Sequence, residues 1–457
     1  MTTTPARPSR PRALRGLRLP AASLGPLYAV LAIAPVALAA FAATGTGVPL
    51  LEVGAATGLT AVALLALQFF SSGRWALLSA RAGIDRTMRF HQLAAYSVAA
   101  VVLAHPLAYV APWQAASVAE AWQGFASMLA LPALRSGAVA WVVVLALVVA
   151  GALRNRLPMR YELWRGLHAA GAAVAMAAAA HHALAVGSYS GNAAVAGILV
   201  ALAALALASL AVVYLVKPWW LRRRPYRLTA NRTLGPGVQE LVLAARGAHA
   251  LDYRAGQFAW ISFGGFPWPW RDHPFSFASC PASDAELRLL VKARGDFSGR
   301  AGELALGTTA YVDGPHGNFT LEGRQGDAIV LVAGGIGIAP ILGLLRELAH
   351  ARDPRPVSLV YGARLPSLVV CRDEIEALKE RLDLATRYFA EEDAPGWSGE
   401  RGAIRLDELA GALRGAPPAR SLCFVCGPPS MMQAVERRLR ALGVPEAQIV
   451  AERFDYD

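Results

Sequence analysis

The sequence predicts a membrane α-helical bundle of six transmembrane helices, followed by an antiparallel β-barrel domain and then an α/β parallel-sheet domain. Three observations carry that reading. Hydrophobic residues make up 55% of the 457-residue chain and charged residues only 17%, with a mean hydropathy of +0.39, which is more apolar than an ordinary soluble chain. The long Ala/Leu/Val runs are confined to the first half. The second half turns to short alternating segments, and from about residue 326 to strand, glycine turn and helix in succession.

Stretches long enough to cross a bilayer, about 20 residues each, lie near 25–44, 52–72, 91–111, 136–153, 168–186 and 193–216. The first follows a basic segment, residues 1–24, and "ALAAFAA" imitates a signal cleavage site; five further spans favour an uncleaved anchor. Arg7, Arg10, Arg12, Arg15 and Arg18 precede span one, Arg74, Arg81, Arg86 and Arg89 separate spans two and three, and Arg154, Arg156, Arg160 and Arg165 separate four and five. Lys217 and Arg222, Arg223 and Arg224 follow span six, whereas the alternate connections hold only Arg135. Basic loops on one side in strict alternation place both termini in the cytoplasm of a multi-pass protein of the cell membrane. The net charge of +12 is then juxtamembrane arginine facing anionic lipid, and nucleic acid is not an expected partner.

Spans three and five hold the histidines of this half: His91 and His105 on one, His168, His181 and His182 on the other. Ionisable groups at such depth are rare and usually functional. Fourteen residues between His91 and His105 amount to about 21 Å of helix and return to within about 40° of one face. The step from His168 to His182 repeats this spacing, whereas His181 is rotated roughly 140° from His168. Two levels of imidazole on co-directional helices suit haem iron, one ligand from each helix. Zinc would need a third and fourth ligand that neither level offers.

The soluble half opens with "YRLTANRTL", "QELVLAAR", "QFAWISF" and "LRLLVKAR", separated by Gly, Pro and Asp turns, the pattern of a small antiparallel barrel over 221–322. Residues 323–457 alternate strand and helix, which means a parallel sheet. Gly334, Gly335 and Gly337 lie between the first such strand and helix, where a diphosphate can approach backbone N–H groups. Cys280, Cys371, Cys423 and Cys426 all fall in this half, with spacings that supply neither a four-thiolate cluster nor a disulfide framework.

In order, "HPFSFAS", "KARGDFS", "GPHGNF", "VAGGIGIAP", "YGAR" and "VCGPPSMM" resemble the ferredoxin-NADP reductase superfamily. With the six spans and paired histidines upstream, the chain resembles a bacterial member of the NADPH oxidase and ferric reductase transmembrane family. The resemblance implies that 25–220 is a haem-carrying membrane domain, 221–322 binds FAD and 323–457 binds NAD(P)H. It implies that His273, Pro274, Phe275 and Ser276 contact FAD, with the Ser276 hydroxyl at its reactive edge, and that Gly295 and Ser298 hold the flavin diphosphate. The glycine turn with Pro340 would take the dinucleotide, and Cys426, Gly427 and Pro428 would bring its nicotinamide to the flavin. Arg364 could face a 2′-phosphate, which leans toward NADPH over NADH. Phe454 resembles the family's terminal stacking aromatic, although the chain runs on to Tyr456 and Asp457.

The family pattern also puts the outer haem ligand thirteen residues after the inner one. That selects His181 against ideal helical geometry and leaves His182 as the alternative; the metal set is then His91, His105, His168 and His181. The expected activity is electron transfer from cytoplasmic NAD(P)H through FAD and two b-type haems to an outer one-electron acceptor: O2, a ferric chelate, or an extracytoplasmic protein. A membrane-tethered flavin reductase feeding a protein electron carrier is the alternative.

Overall fold

The computed structural model describes residues 24–41, 48–75, 83–110, 117–187, 189–392 and 395–453. The membrane half contains α1 (Leu24–Phe41), α2 (Pro49–Gln68), α3 (Ile84–Val110), α4 (Val118–Ala130), α5 (Arg135–Ala152), α6 (Tyr161–Val186) and α7 (Ala193–Ala211), the last extended through Lys217–Arg222. Five of these helical segments are long and apolar enough to cross a membrane, and α1 is a shorter apolar helix.

Two helices begin well before their apolar windows. α3 starts at Ile84 and α6 at Tyr161, with Asp85 and Glu162 in their first turns, where a carboxylate suits the positive end of the helix dipole. A hydropathy window sees only the part that fits hydrocarbon, so the two polar turns ahead of His91 and His168 were invisible to it. α4 was expected as plain connection; Ser117 caps it by accepting from the Glu120 N–H at 3.2 Å. At 13 residues it is too short to register as a span.

In the soluble half β1 (Tyr226–Gly235), β2 (Val238–Ala245), β3 (Phe258–Phe263), β4 (His273–Ser276), β5 (Leu287–Lys292) and β6 (Thr309–His316) form an antiparallel sheet ordered β4-β3-β6-β1-β2-β5. A single bridge from Phe277 to Leu289 joins the chain beyond β4 to β5, at the sheet's other edge. Leu228, Leu241, Leu243, Ile261, Phe277 and Leu289 are wholly buried between its walls.

The second sheet is parallel, with β7 (Ala328–Gly334), β8 (Val357–Ala363), β9 (Leu384–Ala390), β10 (Glu400–Arg401), β11 (Ser421–Cys426) and β12 (Ile449–Ala451) in the order β10-β9-β8-β7-β11-β12. All of β7 and β11 is buried, because helices such as α8 (Ile338–Ala351) and α9 (Pro429–Ala441) cover the faces of a sheet fed by crossovers. The order reverses between β7 and β11. That is the switch point outside whose carboxyl ends an open α/β sheet leaves a crevice, so topology alone sets the "GGIG" and "CGPP" turns side by side.

The two halves meet over a buried surface. Ile84 and the partly buried Met88 of α3 pack with Phe258 and Trp260 of β3. The β3–β4 connection carries Trp268 and Trp270, stacked 4.8 Å apart, and Trp270 stacks in turn on Tyr214 beyond α7 at 6.1 Å.

Candidate functional site

A cavity of about 280 Å³ lies among α2, α3, α5 and α6, lined by His105, His182 and mostly apolar groups including Tyr109, Phe125 and Trp141. The two imidazole centroids are 6.3 Å apart with planes at 81°. The Gly54 carbonyl can only accept, so the His105 Nδ1 at 2.8 Å carries the proton and Nε2 keeps the lone pair. The small residues around the rings are steric necessities. A Cβ at Gly58 would stand 2.7 Å from His105 Cε1, and one at Gly137 would stand 2.7 Å from both Cε1 and Nδ1 of His182.

His182, and not His181, therefore faces His105. The His181 Nδ1 is 3.0 Å from the Ser136 hydroxyl, and His181 is exposed. The His105 and His182 rings stand close enough to hold one metal ion between them. An apolar cavity with two opposed imidazoles fits a haem.

At the other level, His91 Nδ1 lies 3.1 Å from the Ser71 hydroxyl. That hydroxyl itself donates to Gln68 Oε1 at 2.9 Å, so the imidazole is the donor and its Nε2 is free to ligate. His168 stacks on Trp164 at 5.1 Å. The Nδ1 atoms of His168 and His182 are buried without a hydrogen-bond partner among the described residues, a costly state for a polar atom. Sequence reading missed Ser71, Gly58 and Gly137, although a glycine in an otherwise Ala/Leu/Val span was the available signal.

The flavin-type motif falls on β4, where the backbone of His273–Ser276 pairs with Phe258–Ile261 of β3. The His273 ring stacks on Phe297 at 4.4 Å and 11°. Ser298 Oγ accepts the N–H groups of Gly295 and Arg294 at 2.9 and 3.0 Å, so it shapes the turn that bears Gly295 at the start of a one-turn helix, Asp296–Gly299.

At the switch point the glycines have separate duties. A Cβ at Gly337 would collide with the Cys426 carbonyl, and one at Gly427 would come 2.9 Å from Gly334 N and Cα. Gly335 alone of the turn has a left-handed φ of +52° and open space, with Lys292 Nζ 3.9 Å away as the nearest atom. That ammonium stands over the open side of the glycine turn, and Lys292 is the first residue of "KARGDFS". Pro340 is buried in the first turn of α8. Arg364, just past β8, is an exposed arginine paired with Glu392 at 3.5 Å.

Cys426 is 4% exposed at the end of β11, and burial pushes its thiol far above the ordinary range; Cys423 is pushed up to about 12 by burial. Both are free thiols and stay protonated at physiological pH. Glu452, which sequence reading passed over, is 2% exposed. Burial, and then the Asp85 carboxylate, hold its acid well above the usual range, and its carboxylate lies against Gly317. The stacking candidate Phe454, with Tyr456 and Asp457, lies outside the described residues.

Comparison with known proteins matches three family models along the chain: a ferric reductase-like transmembrane component over residues 57–179, an FAD-binding domain over 239–319 and an oxidoreductase NAD-binding domain over 331–437. Ferredoxin–NADP reductase B of Sorangium cellulosum is 32% identical over 242 residues, 50% of this chain and 96% of that protein. The electron transfer component XylA of the Pseudomonas putida xylene/toluene monooxygenase is 35% identical over 187 residues, 39% of this chain and 52% of that protein, so the chain spans about half of that relative. Among solved structures, the FAD/NAD-binding domain of a Vibrio cholerae nitric oxide dioxygenase is 23% identical with a TM-score of 0.44, over 50% of this chain and 98% of that one.

Proposed function

Because the chain belongs to the ferredoxin–NADP reductase superfamily and joins that NAD(P)H-dependent oxidoreductase module to a ferric reductase-like membrane component, the architecture of NADPH oxidases and ferric reductases, we propose that it moves electrons across the membrane. The donor is cytoplasmic NAD(P)H, and the acceptor is a one-electron acceptor on the opposite face. The observation that carries this is the facing pair of His105 and His182 across an apolar cavity.

Bound to the antiparallel domain, FAD would supply the change from hydride to single electrons, and two b-type haems at the two histidine levels would relay those electrons between the faces. The protein's own work is placement. His91 and His168 would hold the inner iron, and His105 and His182 the outer, with His182 taking the place that the thirteen-residue family spacing gives to His181. Ser71 and the Gly54 carbonyl fix the tautomers of His91 and His105, which leaves the Nε2 lone pair of each ring available and would let it ligate iron.

β4 and the Gly295 turn would carry the flavin, with the soluble sheet acting as a closed barrel and Ser276 at the flavin's reactive edge. The Gly335 turn and Lys292 would take the dinucleotide phosphates, Arg364 a 2′-phosphate, and Cys426, Gly427 and Pro428 the nicotinamide, with Phe454 as the stacking ring. Neutral Glu452 can hold a proton beside that site. Six spans, α1 included, put both termini in the cytoplasm and the α4 side outside.

The acceptor is O2, a ferric chelate or an extracytoplasmic protein, since delivery of single electrons at an exposed haem edge needs little dedicated chemistry. Purified protein is expected to show two b-type components in a reduced-minus-oxidised spectrum. His182→Ala is expected to lose the outer one and His181→Ala to keep both; absence of haem bands from the wild type would sink the reading. NADPH-dependent superoxide formation beside ferric-chelate reduction then identifies the acceptor.

A further inference from the structure

Three ends of the membrane bundle converge on two aspartates of the antiparallel sheet. Asp272, the residue immediately before His273, accepts from Arg74 Nη1 at 2.7 Å and Nη2 at 2.9 Å, and from Arg165 Nη1 at 3.0 Å. Asp313 on β6 accepts from Lys217 Nζ at 2.8 Å and stands 3.9 Å from Arg74. Arg74 follows α2, Arg165 lies in the first turns of α6, and Lys217 follows α7. The guanidinium of Arg74 also lies 4.1 Å from the Trp260 ring centroid and that of Arg165 5.5 Å from it.

Asp272, Arg74 and Arg165 are each 7–8% exposed. Desolvation offsets most of what a buried ion pair gains, so such a pair adds little net stability, although removing one partner strands the other as an uncompensated buried charge. Apolar packing of Ile84 on Phe258 and Trp260 would hold the halves together without fixing their register. A bidentate fork does fix it.

We infer that Asp272 is a positioning residue that sets the distance from the flavin-bearing strand to the inner haem ligand. It is joined covalently to His273 on one side and through Arg165 to α6 on the other, and Arg165 and His168 stand one turn apart on the same helix. Electron transfer falls steeply with separation, whereas hydride transfer takes place within the soluble half. Loss of the Arg165 arm therefore slows the first step and spares the second. The inference rests on the assignment of flavin to β4 and haem to His168 made above.

The informative variant is Arg165→Met, which leaves Asp272 paired with Arg74. Anaerobic stopped flow on the holoenzyme should show flavin bleaching by NADPH at the wild-type rate and haem reduction slowed about tenfold or more. Arg165→Lys, which retains a charge, should recover much of the loss. Spin labels at the exposed positions Asn155→Cys and Ala282→Cys, in a Cys371→Ser background, should give a narrow distance distribution that Arg165→Met broadens. This measurement needs neither cofactor, so it decides the latch even if the haem assignment fails. Unchanged haem reduction, flavin and haem steps falling in parallel, no recovery in Arg165→Lys, or an unbroadened distribution would each overturn the inference.

Discussion

Gly137 has no chemistry of its own, yet its missing side chain leaves the space that the His182 ring fills. An added Cβ 2.7 Å from that ring must push it aside, and a ligand moved by an ångström no longer meets its metal. Gly137→Ala should therefore lose the outer haem component while retaining the inner one, as read by the reduced-minus-oxidised spectrum and by haem content falling from two to one.

Asp272 provides a second test at the residue scale. Burial pushes its carboxyl up to about 6, against the pull of Arg74. The folded value thus exceeds the unfolded one, so the folded state takes up the proton first, and stability from this group falls as pH rises from about 4 to about 6. Acid therefore does not unfold the protein through Asp272, although it neutralises the partner of Arg74 and Arg165. The flavin-to-haem step should slow below about pH 6 with no loss of thermal stability from this group, and Asp272→Asn should abolish that pH dependence.

At the level of elements, strands and helices were legible where burial is uniform. The strands "AIVLVAG" and "SLCFVC" are wholly buried, and a run with no polar face announces a central parallel strand. β9, in which exposed Ala385 and Arg387 alternate with buried Leu384, half-buried Thr386 and buried Tyr388, gave a weaker signal and was passed over. The starts of α3 and α6 were lost because their first turns are polar. Side-chain direction was the larger loss: His181 and His182 are neighbours in sequence, and only the facing of α3, α5 and α6 shows which one meets His105. Ideal 3.6-residue periodicity pointed to His182, and the packing puts that residue against the cavity.

The β7–α8 turn extends this to a measurable prediction. A Cβ at Gly337 meets backbone, the Cys426 carbonyl, which cannot rotate out of the way. Gly337→Ala should cost about 1–3 kcal/mol by overpacking and impair NADPH binding. Thermal unfolding and flavin bleaching at increasing NADPH would show a lower Tm with a raised half-saturation, while dithionite-reduced haem spectra stay unchanged.

At the scale of the whole molecule, three basic groups of the bundle meet the soluble half on one side. Arg74 after α2, Arg165 in the first turns of α6 and Lys217 after α7 are separated by full spans, and all three reach Asp272 or Asp313 of the antiparallel domain. The soluble half and the basic loops therefore share one side of the bundle, and the α4 end, with the His105–His182 cavity, lies at the other. Electron flow through such a molecule has a direction. In proteoliposomes, added membrane-impermeant NADPH reaches only the molecules whose soluble half faces outward, so the acceptor they reduce lies in the lumen. A ferric chelate or superoxide trap enclosed in the lumen should then respond at once, and the same reagent placed outside should respond only after detergent admits NADPH to the inward-facing molecules. Equal response on the NADPH side before detergent would mean that electrons leave from the flavin, as in a tethered flavin reductase, and His105→Ala would then leave the rate unchanged. A lumenal response that His105→Ala abolishes requires a path that leaves the protein through the outer histidine level.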